Sequence, residues 1–407
     1  MQANANLQRL YYLDAVRAFA LLLGVVFHAS LSFFPSYIGW AVMDISTSDF
    51  VSVFLLISHS FRMELFFVIA GFFSCMALSR QPINQYLKSR TIRLGIPLLV
   101  GWFILRPLLV SGWVIGGQSM RGDVDIWQGV VAGFSDLMQL PSGFLVGTHL
   151  WFLYYLILIS ALFLILKVAV SSLKMDNLLF RHLTKLFVSR LSPLILITLA
   201  VIITSCSLWY MSSWGMDTPD KSLVPHWPTF AVYSLCFGVG WLLFTQQEMF
   251  NRLTDLSWAK FTILSLSVLS SIYFVSFQSQ YGTSQYLWYK INFVLSYAIM
   301  MWILVFFSIA ICKRVFIKPN AVISYLSGAA YWIYLIHLPI VIYLQIAVAE
   351  LEVNWLLKWL GLTMVTIIFS LISYEILVRK TLLGAVLNGK RHASKREVGI
   401  GNTVKSI

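Results

Sequence analysis

Apolar residues occupy this chain in long, nearly unbroken blocks separated by short polar joints, without the strict alternation of a half-buried strand or the two-sided pattern of a soluble helix. Such blocks lie near 10–34, 51–79, 94–112, 149–170 and 193–213, and again near 227–246, 261–277, 288–311, 322–345 and 356–378. Each is long enough to cross a hydrocarbon core of about 30 Å as a helix. The pattern predicts an all-α, polytopic membrane protein, a bundle of about ten transmembrane helices over residues 1–378, followed by a basic, flexible tail over 379–407. No internal repeat and no symmetric pair of Gly/Pro-broken helices marks a transporter architecture.

The polar joints set the orientation. With the N-terminus in the cytosol, about 21 Lys and Arg fall in inside segments, about 2 outside and about six within or beside spans, so both termini are expected to be cytosolic. A bacterial inner membrane is the expected location. Lys390, Arg391, Lys395 and Arg396 place the tail beside anionic lipid, and also serve as a plain topology anchor. Two joints differ from simple turns. The inside joint 80–93, RQPINQYLKSRTIR, is short and basic. The outside stretch 113–148 is long, and its Ile126, Trp127, Val130, Val131, Phe134, Leu137 and Met138 recur at helical spacing, which predicts an interfacial helix on the outer leaflet.

Composition agrees: 59% hydrophobic and 11% charged residues stand far from the roughly 45–50% and 25% of a soluble domain. The net charge of +13 is dispersed between blocks and forms no stripe with stacking aromatics, so nucleic acid is not an expected partner. Cys75, Cys206, Cys236 and Cys312 have no paired spacing, which indicates neither a disulfide framework nor a zinc site. The first block carries Asp14 and Arg17 and lacks a small-residue cleavage site, so it reads as a retained helix.

An ionisable residue inside a span costs at least about 2.5–3.5 kcal/mol, so each asks for a partner or a role. Asp14 and Arg17 lie near the cytosolic end of the first block, and His28 lies roughly 9 Å below its outer end. His59, Arg62 and Glu64 reach a similar depth, as do Arg106, His149 with Trp151, and His337. Four of the seven histidines thus share one layer, where each also suits a mere hydrogen-bonding bridge between helices. Arg17 and His28 are separated by eleven residues, which returns them to within roughly 20° of one another, about 16 Å apart along one face. Asp14 can pair with Arg17. His59 and Arg62 share a face, whereas Glu64 lies about 200° around from Arg62 and meets another neighbour. Tyr331, Tyr334 and His337 form a drifting stripe, and Glu375 with Arg379 reads as a structural pair.

At these residues the sequence resembles the membrane acyltransferase 3 family. The resemblance rests on LDAVRAFALLLGVVFH, on ELFFVIAGFFS, on the Arg-x-x-Arg of Arg90 and Arg93, on HLWFLYYL and on YWIYLIHLPI. HSFRMELFFVIAG followed by RLGIP is similar to the branch of that family that succinylates osmoregulated periplasmic glucans. Two departures matter: Ala70 stands where the family usually has Ser, and the acidic or amide position is Glu64. The resemblance implies O-acyl transfer from a cytosolic acyl-CoA, best succinyl-CoA, to a periplasmic glucan, or acylation of another surface polysaccharide or glycolipid. No tightly bound cofactor or metal is expected, and no oligomeric state is indicated.

The parts suit that reaction. Arg90 and Arg93 are placed to hold the donor's phosphates, since a guanidinium offers bidentate, charge-assisted hydrogen bonds. The Arg17-to-His28 face matches an extended pantetheine arm. His28 then serves as general base or forms an acyl-histidine, with Glu64 the buried acid at the right depth to partner it. Arg62 or Arg106 meets a succinyl carboxylate. Acceptor contacts fall to His149, Trp151, His59, Tyr334 and His337. The rival readings are a transporter or exporter, haem ligation by two outer-layer histidines, and a binding protein without chemistry.

Overall fold

The computed structural model describes residues 11–119, 124–139, 143–172 and 192–388. Among these there are helices and no strands, and ten helices are long and apolar enough to cross a membrane. They are α1 (Tyr11–Ser30), α2 (Asp49–Arg80), α3 (Ile96–Ser119), α4 (Trp151–Ser172) and α5 (Ser192–Trp209), then α6 (Trp227–Thr245), α7 (Trp258–Val275), α8 (Tyr286–Val315), α9 (Ala321–Val348) and α10 (Trp355–Ser373). Each apolar block has become one helix. Polar residues at the joints start them: the side chains of Ser48, Ser257, Asn320 and Asn354 accept backbone N–H groups in the first turns of α2, α7, α9 and α10.

Helix α1 is central, packed against α2, α8, α9 and α10. The closest approach is that of α2 and α6, where a Cβ on Gly71 would lie 1.9 Å from the Phe237 carbonyl oxygen and one on Gly240 1.8 Å from that of Val68. Small residues let backbones meet in lipid, where apolar burial drives no association.

Two ends of the bundle are defined by contacts. At one, the Ser327 hydroxyl donates to Asp14 (3.2 Å), Tyr331 OH donates to the Arg93 carbonyl (2.5 Å) and Tyr325 OH donates to Glu375 (3.3 Å). The start of α1, the start of α9 and the end of α10 therefore share this end, and Arg379 pairs with Glu375 there at 2.6 Å. At the other end, Gln345 of α9 meets the last turn of α1.

The helix expected within 113–148 exists as Ile126–Asp136, but it is not a free surface helix. It runs back antiparallel along α3: a Cβ on Gly129 would meet Ile115 at 2.3 Å and one on Gly133 the Pro107 carbonyl oxygen at 2.4 Å. The two glycines, one turn apart, permit this contact and leave Ile126, Trp127, Val131 and Phe134 exposed. Of the tail, residues to Asn388 are described and include the helix Leu382–Asn388; Lys390, Arg391, Lys395 and Arg396 lie outside the described residues.

Candidate active site

His28 occupies the last turn of α1, where carbonyls lack helical donors. The Gln345 amide fills that need, donating to the carbonyls of His28 (3.0 Å) and Ala29 (3.2 Å), while its oxygen accepts from Trp40 Nε1 (2.8 Å). The Trp40 indole lies over the His28 imidazole, centroids 5.7 Å apart and planes 23° from parallel. His28 is thus held from its backbone by α9 and covered by the joint after α1. Nothing in the chain's periodicity marks Trp40; Gln345 is a polar residue within an apolar block, which is a signal of its own.

Pro339 organises the facing helix. It lacks an N–H, so the Leu335 carbonyl four residues earlier has no helical donor. His149 supplies one: its Nε2–H reaches the carbonyls of Leu335 (3.1 Å) and Tyr334 (3.0 Å), and Tyr334 OH donates back to the His149 carbonyl (2.8 Å). His337 turns its Nδ1–H onto Tyr334 (2.8 Å) and Ile333 (3.1 Å). A carbonyl can only accept, so in each neutral ring the contacting nitrogen carries the hydrogen and the other holds a lone pair. These bare atoms, His149 Nδ1 and His337 Nε2, are buried without a hydrogen-bond partner, as is His28 Nδ1. The rings form a chain, His28 to His337 at 5.2 Å and His337 to His149 at 5.4 Å between centroids. For these three histidines, shared depth is contact.

His59 and Arg62 join from α2 through Phe27. His59 stacks on that ring at 5.4 Å, and the Arg62 guanidinium lies 4.1 Å from its centroid. Gly24, one turn before His28, admits the guanidinium to α1: a Cβ there would lie 3.8 Å from Arg62 Nη1. Arg62 is buried, and its Nε and Nη1 have no hydrogen-bond partner.

Other expected members go elsewhere. Glu64 is wholly buried with both oxygens unpartnered, within electrostatic reach of Arg62 on its own helix and of Tyr233, Cys236 and Tyr297. No contact joins it to His28. Trp151 stacks on Tyr233 at 5.8 Å, in the aromatic cluster between α2, α4 and α6. Arg106 does not stand free for a donor carboxylate. Its Nε and Nη2 grip Asp136 at 2.7 and 3.0 Å and its Nη1 donates to the Gly147 carbonyl at 3.1 Å, so it clamps the 126–136 helix and the entry to α4 onto α3. Gly147 has φ +68°, and a Cβ there would sit 1.8 Å from Nη1.

At the opposite end Arg17 pairs with Asp14 at 3.9 Å. Ser327 and Tyr331, one turn apart on α9, hold Asp14 and the Arg93 carbonyl, which brings the basic joint to the foot of α1. Arg90 hydrogen-bonds Ser74 of α2 and lies 5.1 Å over Tyr86. Arg93 falls in a π-helical turn, Thr91–Gly95, a distortion common where helices carry function. Arg17 and His28 thus stand near opposite ends of α1, with Arg93 linked through Tyr331 to the helix that also holds Asp14. Among the described residues no three His, Cys, Asp or Glu come together as metal ligands.

The acyltransferase domain that defines the membrane acyltransferase 3 family matches residues 10–375. The chain belongs to this family. Over 393 residues it is 29% identical to the glucans biosynthesis protein C of Escherichia coli K12 and to that of E. coli O157:H7, and 28% identical to that of E. coli O139:H28. Each alignment covers 94% of this chain and 95% of the relative. No solved structure matches it. The protein is thus a multi-pass membrane acyltransferase. Of the three rings in the chain, His149 and His337 are tied to backbone carbonyls, and His28 Nδ1 has no hydrogen-bond partner.

Proposed function

We propose that this acyltransferase carries a succinyl group from a cytosolic acyl-CoA to hydroxyls of a periplasmic glucan, within the bacterial inner membrane, with His28 as general base. The observation that carries the reading is Arg62. A buried guanidinium with unpartnered donors in the layer of the base suits a donor that brings its own carboxylate, which an acetyl donor lacks. The glucan comes from the names of the relatives, and the orientation from the excess of Lys and Arg on the Arg90 side.

Arg90 and Arg93 meet the CoA phosphates at the cytosolic mouth, and the pantetheine arm follows the Arg17-to-His28 face, about 16 Å long. The acceptor oxygen attacks the thioester carbonyl as His28 takes its proton. The C–O bond forms, the C–S bond breaks, and the departing sulfur takes the proton back from His28. Succinyl-CoA, acetyl-CoA and glucan supplied to the purified enzyme test this. His28→Ala loses about 10² to 10⁴ in rate on either donor, and Arg62→Ala loses more on succinyl than on acetyl. Equal losses for Arg62→Ala remove the carboxylate role; undiminished transfer by His28→Ala removes the base.

A further inference from the structure

A base that takes a proton in a low-dielectric layer becomes a cation, and a cation there needs an acceptor. The groups acting on His28 are Arg62 and His59 from α2, His149 from the start of α4 and His337 from α9, and no carboxylate is among them. The task that an aspartate performs in a hydrolase triad, accepting the second ring N–H of the histidine, has no acid to perform it here.

We infer that His337 is the positioning residue for His28: its Nε2 lone pair accepts the His28 Nδ1–H and holds the imidazolium formed during acyl transfer. This rests on the reading of His28 as base. Three observations carry it. His337 is the ring nearest to His28 among the other histidines it contacts, with centroids 5.2 Å apart. Its Nδ1–H is fixed on the Tyr334 and Ile333 carbonyls, so Nε2 is the lone-pair nitrogen in the neutral ring. The two remaining atoms, His28 Nδ1 and His337 Nε2, are both buried and have no hydrogen-bond partner. At this separation, nitrogens that both point along the line between the two ring centres stand about 3 Å apart, the distance of a hydrogen bond. His28 Nε2 is then the atom that takes the hydroxyl proton and returns it to the leaving sulfur, while Nδ1 keeps its own proton throughout. His149 packs edge to face on the His337 ring, centroids 5.4 Å apart.

The experiment compares His337→Gln, which keeps an acceptor oxygen, with His337→Phe, which keeps a ring and no acceptor, in the full-length enzyme in detergent. Each variant's thermal unfolding confirms folding. His337→Phe is expected to lower kcat roughly 10- to 100-fold, the effect of losing one hydrogen bond to a charged group, with KM little changed. The acid limb of its kcat profile moves to lower pH, because the imidazolium has lost its acceptor. His337→Gln restores most of kcat and returns the limb toward the wild-type position. Equal loss in both variants with an unmoved limb overturns the inference, as does a rise in KM alone, which marks an acceptor-binding residue. If His337→Phe does not fold, failure of His337→Gln to stay within a few-fold of wild type overturns it equally. Full activity of His28→Ala would instead remove the base itself, a separate failure.

Discussion

The Nε2–H of His149 donates to the Leu335 carbonyl at 3.1 Å, and that carbonyl is open because Pro339 has no N–H to offer it. A side chain at the start of α4 thereby completes the hydrogen bonding of α9. His149→Ala leaves the buried carbonyl without a donor, at a cost of about 1–3 kcal/mol. Pro339→Ala returns the missing N–H. Thermal unfolding of the two single variants and the double variant is expected to show Pro339→Ala recovering most of the stability lost in His149→Ala. Additive losses would show that His149 stabilises the bundle in some other way.

The ten spans were legible because lipid constrains every outward position, and a block of about twenty apolar residues has few alternatives. The face shared by Arg17 and His28, and that shared by His59 and Arg62, followed from helical periodicity alone, and the second pair does converge on Phe27. What periodicity does not contain is the partner on another helix. Arg106 within a block announced that it needs an anion, yet Asp136 lies in a joint thirty residues on and carries no mark. Glu64 illustrates the same gap: its angle from Arg62 was readable, but the helix that faces it was not. Pro339, two residues after His337, was a missing donor visible in the sequence; only the fold identifies His149 as the group that replaces it.

Arg106 and Asp136 form a two-point clamp at 2.7 and 3.0 Å. Arg106→Lys keeps the charge and loses the planar fork, so it is expected to destabilise by about 1.5–3 kcal/mol, the range of a hydrogen bond to a charged group. Asp136→Asn should cost a similar amount, and the double variant little more than either. The reading is checked by melting temperatures together with protease susceptibility of the 126–136 helix. Independent, additive losses would mean that the pair is not coupled.

Helices α2 and α6 meet at Gly71 and Gly240, where any Cβ would enter a carbonyl oxygen of the other helix. Gly71→Ala and Gly240→Ala each force the backbones apart, at a cost of about 1–3 kcal/mol or more because neither obstacle is a movable side chain. Gly117 in α3 has nothing within 4 Å of its would-be Cβ, so Gly117→Ala is neutral or stabilises by up to about 1 kcal/mol. Thermal unfolding in one detergent separates the three. Similar behaviour of Gly71→Ala and Gly117→Ala would contradict the close approach.

Asp44 and Lys358 make an ion pair at 2.7 Å with side chains 1% and 2% exposed, in the joint that carries Trp40 over His28. Burial pushes the Asp44 carboxyl above its ordinary range, against hydrogen bonds from Lys358 and the Ser46 N–H. Such a pair is costly to break from one side. Lys358→Met leaves Asp44 buried without its cation, and Asp44→Asn leaves Lys358 without its anion; each should destabilise by about 3–5 kcal/mol, while the double variant recovers much of the loss. The joint also binds the bundle through the Asp44 N–H on the Ser32 carbonyl (2.8 Å) and the Ile45 N–H on the Ala349 carbonyl (3.2 Å), so its loosening displaces the indole that covers His28. Acyl transfer by the single variants is therefore expected to fall along with stability and to return in the double variant. Wild-type melting temperature and rate in Lys358→Met would show that the pair positions nothing. Recovery of stability without recovery of rate would instead assign the charge itself a part in the reaction.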